Sequence, residues 1–421
     1  MKAIAFLFGT ILAVVGCSSV DPHLVPTPAV LKDPRVDFAS RIPEALRTPS
    51  QPVFFATTRA PAAEGHYGDA DGGGVMLGVA TVRLGEPGMS WDQLVASHRN
   101  SSVDRPRSGA VEAIEELGRA SRMGNVEEAE RRFIAAIDSQ IERSRNRELI
   151  IYVHGYRVAF DEVAVQMASF SHYLGQGAAL TFQWPTGAMF WNYLTDCPRA
   201  ESYIPDIERL LVLAGRTKAD YINVMAYSCG SPLLAAAVAR LRQRDPLLGH
   251  DELQRKYRLG SVIFAASDVD LKTFARDYVA PALDVSQQVV IYFSQVDRAL
   301  GFSTLVAGAS RLGRPDLTVL SVEDLQRMDN PRLVAVDVTQ VRGAHEMGGM
   351  KGHGYWYANE VISSDVSLSL RYPIPPARRC LENQPRGSRV WRIPEGYVDC
   401  VTTRLLEAFP ELRSKPALAP P

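Results

Sequence analysis

YINVMAYSCGSPLLAAAVARL, residues 221–241, is the stretch that decides how the rest of the chain reads. Ile222, Val224 and Met225 form a short apolar run of the kind shown by a strand buried on both faces. Leu233, Leu234, Ala237, Val238 and Leu241 then recur at helical spacing. Between the two lies Ala226-Tyr227-Ser228-Cys229-Gly230, a tight turn with one serine at its centre. Strand, turn and helix around a serine are the context a nucleophile elbow requires. Such a turn strains the backbone, and the residues two before and two after the serine must be small for strand and helix to approach. Ala226 and Gly230 meet that demand, with Ala where Gly is more usual. An ordinary strand-to-helix connection with a chance serine has the same local look, so the remainder of the chain decides.

Outward from this stretch, strands and helices alternate. Apolar runs at 149–153, 178–183, 259–265, 289–293 and 333–338 read as strands, and helical spacing covers 161–174, 201–214 and 271–282. Upstream, 52–59 and 75–84 read as strands joined by a Gly/Asp-rich loop over 60–74, and 125–143 reads as an amphipathic helix. Alternation of this kind implies right-handed crossovers and an α/β fold, a mostly parallel central sheet with helices on both faces. That domain is expected over residues 51–365, with 366–421 a C-terminal extension carrying one helix near 398–409.

The N-terminus has another purpose. Met1-Lys2 precedes an apolar run over 3–15 that ends Val14-Val15-Gly16-Cys17. This is an export signal, too short to span a bilayer. Cysteine directly after small residues resembles the lipobox of bacterial lipoproteins, which makes 1–16 a signal peptide and Cys17 the lipidated first residue of the mature chain. More than one acyl chain on that residue suffices for stable anchoring. Ser18 and Ser19 carry no acidic retention signal, so the expected location is the outer membrane, facing the periplasm. Residues 17–50, rich in Pro and polar side chains without periodicity, read as a tether.

A formal net charge of −1 gives no electrostatic case for nucleic acid. There is no HExxH, no closely spaced cysteine pair, and no GxGxxG or P-loop after a strand, so neither metal nor cofactor is expected. In an oxidising compartment Cys380 and Cys400 are suited to a bridge, which would constrain the unfolded chain by roughly 3 kcal/mol. Cys229 reads as a small buried residue and Cys197 has no assigned role.

In an α/β sheet, sites gather at the carboxyl ends of strands. Ser228, Asp297 and His353 follow three of these ends in the order Ser, Asp, His that α/β-hydrolases use. A serine hydroxyl needs a base to take its proton. Histidine does this near neutral pH, and a carboxylate fixes its tautomer. His345 competes with His353 as base. Asp268 and Asp270 compete with Asp297 as acid, although aspartate there also suits helix capping, as it does at Asp297 itself. The backbone amides of Cys229 and Tyr156 are the expected oxyanion donors.

VFFATTR, IIYVHGY, LTFQWP, NYLTD, AYSCG, FAASDVD, IYFSQVDRAL and KGHGYWY, in that order over residues 52–365, resemble a bacterial α/β-hydrolase family known as DUF900, a domain of unknown function. The resemblance places Ser228, Asp297 and His353 on the family's presumed triad. It places Asp268 and Asp270 on an ApDID-like segment and Asp196 on a recurring Tyr-x-x-Asp. The chain departs from it in having Tyr227-Ser228-Cys229-Gly230 where His-Ser-Met-Gly is usual, and Arg157 where Asn is common. Two functions fit. One is a lipid-anchored envelope serine hydrolase cleaving an ester or related acyl bond of a small-molecule or lipid substrate. The other is a non-catalytic lipoprotein that keeps the fold as a scaffold.

Overall fold

The strand leading to Ser228 lies in the interior of an 11-stranded sheet in the computed structural model of the chain. The structure describes residues 22–62, 65–102, 104–120, 127–175, 177–346, 352–371, 373–385 and 388–414. The signal peptide expected over 1–16 and Cys17, the expected lipidation site, lie outside the described residues. In chain order the strands are β1 (Ser50–Pro61), β2 (Tyr67–Leu84), β3 (Gly109–Ala120), β4 (Glu148–Val153), β5 (Ala178–Gln183) and β6 (Tyr221–Tyr227). They continue with β7 (Leu259–Ala265), β8 (Ser286–Phe293), β9 (Leu333–Asp337), β10 (Glu382–Asn383) and β11 (Val390–Arg392). Across the sheet they stand in the order β10-β11-β9-β8-β7-β6-β4-β5-β1-β2-β3. From β11 to β1 every neighbouring pair is parallel. β2 and β3 add an antiparallel flank on one side, and β10 an antiparallel edge on the other.

Burial explains why the parallel strands read as predominantly apolar runs. Every residue of β4, β5 and β7 is buried. Alternate residues point to opposite faces. Ile151, Val224, Ala226 and Phe264 meet Leu233, Leu234, Ala237 and Leu241 of the helix Gly230–Arg244. Tyr152, Met225, Ile263 and Ala265 belong to a second core with Val163, Met167 and Phe170 of Phe160–Leu174, and with Ile362 and Val366 of Glu360–Arg371. Each fully buried Val, Leu, Ile, Phe or Met among them contributes roughly 1.5–3 kcal/mol.

Three expectations need correction. The loop expected over 60–74 is largely a hairpin, since Arg59 pairs with Asp71 and Pro61 with Tyr67. Gly and Asp are poor strand formers in general. Here a Cβ on Gly72 would lie 2.6 Å from the Arg59 carbonyl oxygen, so glycine is what lets the two backbones meet. Much of the expected tether is folded, with Leu24, Val25, Val30, Val36, Phe38 and Ile42 all buried. These apolar side chains are separated by prolines and lack a period, yet each finds a place on the body. The division expected between 365 and 366 falls inside the helix Glu360–Arg371. Arg379 donates to Asp365 at 2.5 Å, and the same carboxylate accepts from Tyr292 at 2.7 Å and Tyr397 at 3.0 Å. That buried cluster ties the C-terminal segment to β8, and β11 extends the sheet beside β9. Cys380 and Cys400 are bridged beside it. No helix among the described residues is long and apolar enough to cross a membrane.

Candidate active site

Ser228 sits at φ +50°, the left-handed region that a non-glycine residue occupies at a cost of about 1–2 kcal/mol. Its amide donates to Ala265 O at 3.2 Å, and its carbonyl accepts from Ser231 N at 3.0 Å and Asp268 N at 3.3 Å. The turn is thus clamped from both sides. Its steric demands are specific. A Cβ on Gly230 would stand 2.4 Å from His154 O, and one on Gly155 would stand 2.8 Å from the Tyr227 ring and 3.0 Å from Ser228 Cβ. The loop leaving β4 therefore abuts the elbow only because both positions are glycine.

His353 brings the other two candidates together. Its Nε2 lies 2.8 Å from Ser228 Oγ and its Nδ1 lies 2.8 Å from Asp297 Oδ2. With the proton on Nδ1, where the carboxylate accepts it, Nε2 is free to accept from the serine hydroxyl. Asp297 Oδ1 accepts from Leu300 N at 3.0 Å, capping the helix Arg298–Ala307. Asp297 is thus both a helix cap and the partner of His353. Burial by itself depresses the imidazole of His353. The charge and hydrogen bond of Asp297 outweigh it, with a further contribution from Asp268, and the pKa is raised above the ordinary histidine value.

The competing candidates lie elsewhere. His345 is more than half exposed and stands 3.4 Å from Glu346. Asp270 caps the turn Leu271–Thr273 through Thr273 N at 2.7 Å. Asp268 caps nothing. Its Oδ2 accepts from Tyr193 OH at 2.6 Å and its Oδ1 from Ser303 Oγ at 2.5 Å, while Arg311 Nε lies 3.3 Å away. Asp196 accepts from Gly187 N at 2.7 Å and fixes the turn after β5.

The loop after β4 is ordered by His154. Its Nδ1 donates to Gly155 O at 2.7 Å and its Nε2 accepts from Trp184 N at 3.1 Å, with the two rings stacked. Burial, and then the charge of Arg59, push its pKa down to about 3, so the ring is neutral. Trp184 is fully buried against it. Arg157 follows Tyr156 at φ +60°. The amides of Cys229 and Tyr156 donate to no acceptor among the described residues.

One feature escaped the sequence reading. Cys229 is not a free buried thiol but is bridged to Cys197, across a separation of 32 residues. The bond ties the helix Tyr193–Ala200, which carries Tyr193 and Asp196, to the residue after Ser228. With Cys17 set aside and Cys380 paired with Cys400, two cysteines remained for one bridge, and that count was the available signal.

Ser228 and His353 open into a cavity of about 600 Å³. Its walls mix Tyr156, Tyr193, Tyr357, Leu300 and Phe302 with the charged side chains of Asp69, Arg157, Glu162 and Asp268. The segments that wall it, 187–194 and the helix Arg298–Ala307, expose Met189, Trp191, Leu194, Leu305 and Val306, with Trp191 at 65% and Leu305 at 81%. No group of three or more His, Cys, Asp or Glu suited to a metal ion occurs among the described residues.

A family model described as "alpha/beta hydrolase of unknown function (DUF900)" matches residues 129–367, more than half of the chain. The chain belongs to the DUF900 family. The match starts well after the VFFATTR segment, so the β1–β3 flank lies outside it. Ser228, Asp297, His353, Asp196 and Asp268 all lie within the part shared with DUF900. No curated protein and no solved structure matches this DUF900 chain.

Proposed function

We propose that this DUF900 member is a serine hydrolase cleaving an ester or related acyl bond. The observation that carries the reading is the continuous relay Ser228–His353–Asp297, 2.8 Å at each step, at the edge of a cavity of about 600 Å³. In the proposed reaction Ser228 Oγ attacks the acyl carbon while His353 Nε2 takes its proton. The amides of Cys229 and Tyr156 hold the developing oxyanion, each worth about 2.7–4 kcal/mol in the transition state. His353 returns the proton to the leaving group, and water then releases the acyl group by the same route. The raised pKa of His353 supports this, because Asp297 stabilises the imidazolium formed midway.

The exposed Met189, Trp191, Leu194, Leu305 and Val306, on the segments that wall the cavity though not in its lining, favour an apolar acyl part in the substrate. An anchor at Cys17, with the hydrolase held on the outer membrane facing the periplasm, accords with the two disulfides, which persist in oxidising compartments. A panel of chromogenic acyl esters of increasing chain length tests the reading. Turnover should rise with chain length in the wild type, and Ser228→Ala should lose about 10³-fold or more. Equal turnover by both proteins would remove Ser228 from the chemistry, and no turnover by a folded wild type would leave the scaffold reading.

A further inference from the structure

A second cavity, of about 540 Å³, shares no lining residue with the first. Arg371 lies in its wall with Nε 3.7 Å from Glu148, the first residue of β4, so it sits beside the amino ends of the strands, away from Ser228. The segment before β1, the end of the helix Phe160–Leu174 and the chain from Ser364 onward build it jointly. Phe38, Leu174, Leu368, Val401, Leu405 and Phe409 make its interior mostly apolar. Its charged lining has one sign. Arg41, Arg371, Arg378, Arg379 and Arg404 take part, and no Asp or Glu does among the described residues that line it.

Two of these arginines are exposed, and no carboxylate among the described residues neutralises them. Arg404 donates to Ala377 O at 2.6 Å, which brings it beside Arg378, and neither makes an ion pair there. Arg379, next in the chain, is buried in the wall. Its Nη1 serves Asp365, and its Nε and Nη2 have no acceptor among the described residues. A buried N–H without an acceptor is unfavourable, and an arginine pair suits an oxyanion. Arg41 has Glu411 3.6 Å away, but an apolar chamber whose charged lining is cationic, with Arg378 and Arg404 exposed, is complementary to a molecule having an apolar tail and an anionic head.

We propose that this cavity is a binding site for a free single-chain amphiphile, a long-chain carboxylate, whose head meets Arg378 and Arg404 and whose tail lies along Leu405 and Phe409. The site is independent of the chemistry at Ser228.

The test is a fluorescence titration of the lipid-stripped full chain with a polyene fatty acid. Three variants separate the possibilities. Arg378→Glu with Arg404→Glu reverses the mouth at two exposed positions. Ala408→Trp, also at an exposed position, fills the chamber, and Ala299→Trp narrows the catalytic cavity instead. One equivalent should bind, with affinity reduced about tenfold or more by the charge reversal and by Ala408→Trp. Ala299→Trp should leave it unchanged, inorganic phosphate should not compete, and an alkyl-ammonium of equal chain length should prefer the charge-reversed protein. Circular dichroism checks that the variants are folded. Loss of binding in Ala299→Trp alone would assign the fatty acid to the catalytic cavity and overturn the proposal. Unchanged affinity in both second-cavity variants, or binding to anionic vesicles without binding to the monomeric acid, would also overturn it.

Discussion

Asp297 divides its carboxylate between two partners: Oδ2 accepts from His353 Nδ1 at 2.8 Å, and Oδ1 accepts from the amide of Leu300 at 3.0 Å. Helix capping, which the sequence offered as a competing role for Asp297, is also what aims its side chain. An N-cap fixes the rotamer, so the second oxygen faces the imidazole without further support.

That arrangement separates fold from chemistry in one substitution. Asparagine caps helices about as well as aspartate, so Asp297→Asn should keep its stability. It no longer holds the histidine tautomer or the imidazolium, and acyl-ester turnover should fall about 10⁴-fold. Thermal unfolding and steady-state rates of the same sample check both halves. A large loss of stability with a small loss of rate would reduce Asp297 to a cap.

The pH dependence has a definite sign. The proposed base works as neutral imidazole, and its pKa is raised above the ordinary value by Asp297, with help from Asp268. Activity should therefore decline as pH falls through that raised pKa, with the acid limb of kcat/KM inflecting above about 6.5. Asp268→Asn removes one of the raising charges, so it should move the limb to lower pH. A limb that stays put in Asp268→Asn, or moves upward, would contradict the electrostatic account.

The bridge Cys197–Cys229 predicts a difference between two disulfides. Its closed loop constrains the unfolded chain by roughly 3–4 kcal/mol, and the Cys380–Cys400 loop by about 3 kcal/mol. Both Cys197→Ser and Cys380→Ser should lower the denaturation midpoint. Only Cys197→Ser should also lower turnover in the protein that remains folded, because it frees a wall of the cavity from the elbow. Equal effects on rate would dismiss the positional role.

Gly230→Ala adds a Cβ that would sit 2.4 Å from His154 O, where backbone must yield. Overpacking of that kind costs about 1–3 kcal/mol or more and should shift Ser228 off its partner. Ala226→Gly, which adds nothing, should be far milder in both expression and rate.

The parallel strands were legible because burial on both faces writes a predominantly apolar run, as in β4, β6, β7 and β8. Ser228, Asp297 and His353 were legible because a parallel sheet brings strand ends together, so chain order stood in for distance. Other parts left no local mark. β3 carries Glu112, Glu115 and Glu116 on an edge strand and has no apolar run. β11 is three residues long and owes its existence to β9 beside it. The fold of residues 22–50 depends on scattered apolar side chains meeting a surface built by the C-terminal segment, which no window of sequence contains. The pairing of Cys197 with Cys229 is likewise a matter of which segments meet above the sheet, here the helix Tyr193–Ala200 and the turn after β6.

The most direct measurement of the central claim is covalent. The full chain should react with a fluorophosphonate at one residue, mapped by peptide mass to Ser228, and the reaction should slow in Asp297→Asn and vanish in Ser228→Ala. A folded wild-type protein that takes no label, or takes it at another serine, would contradict the proposed chemistry.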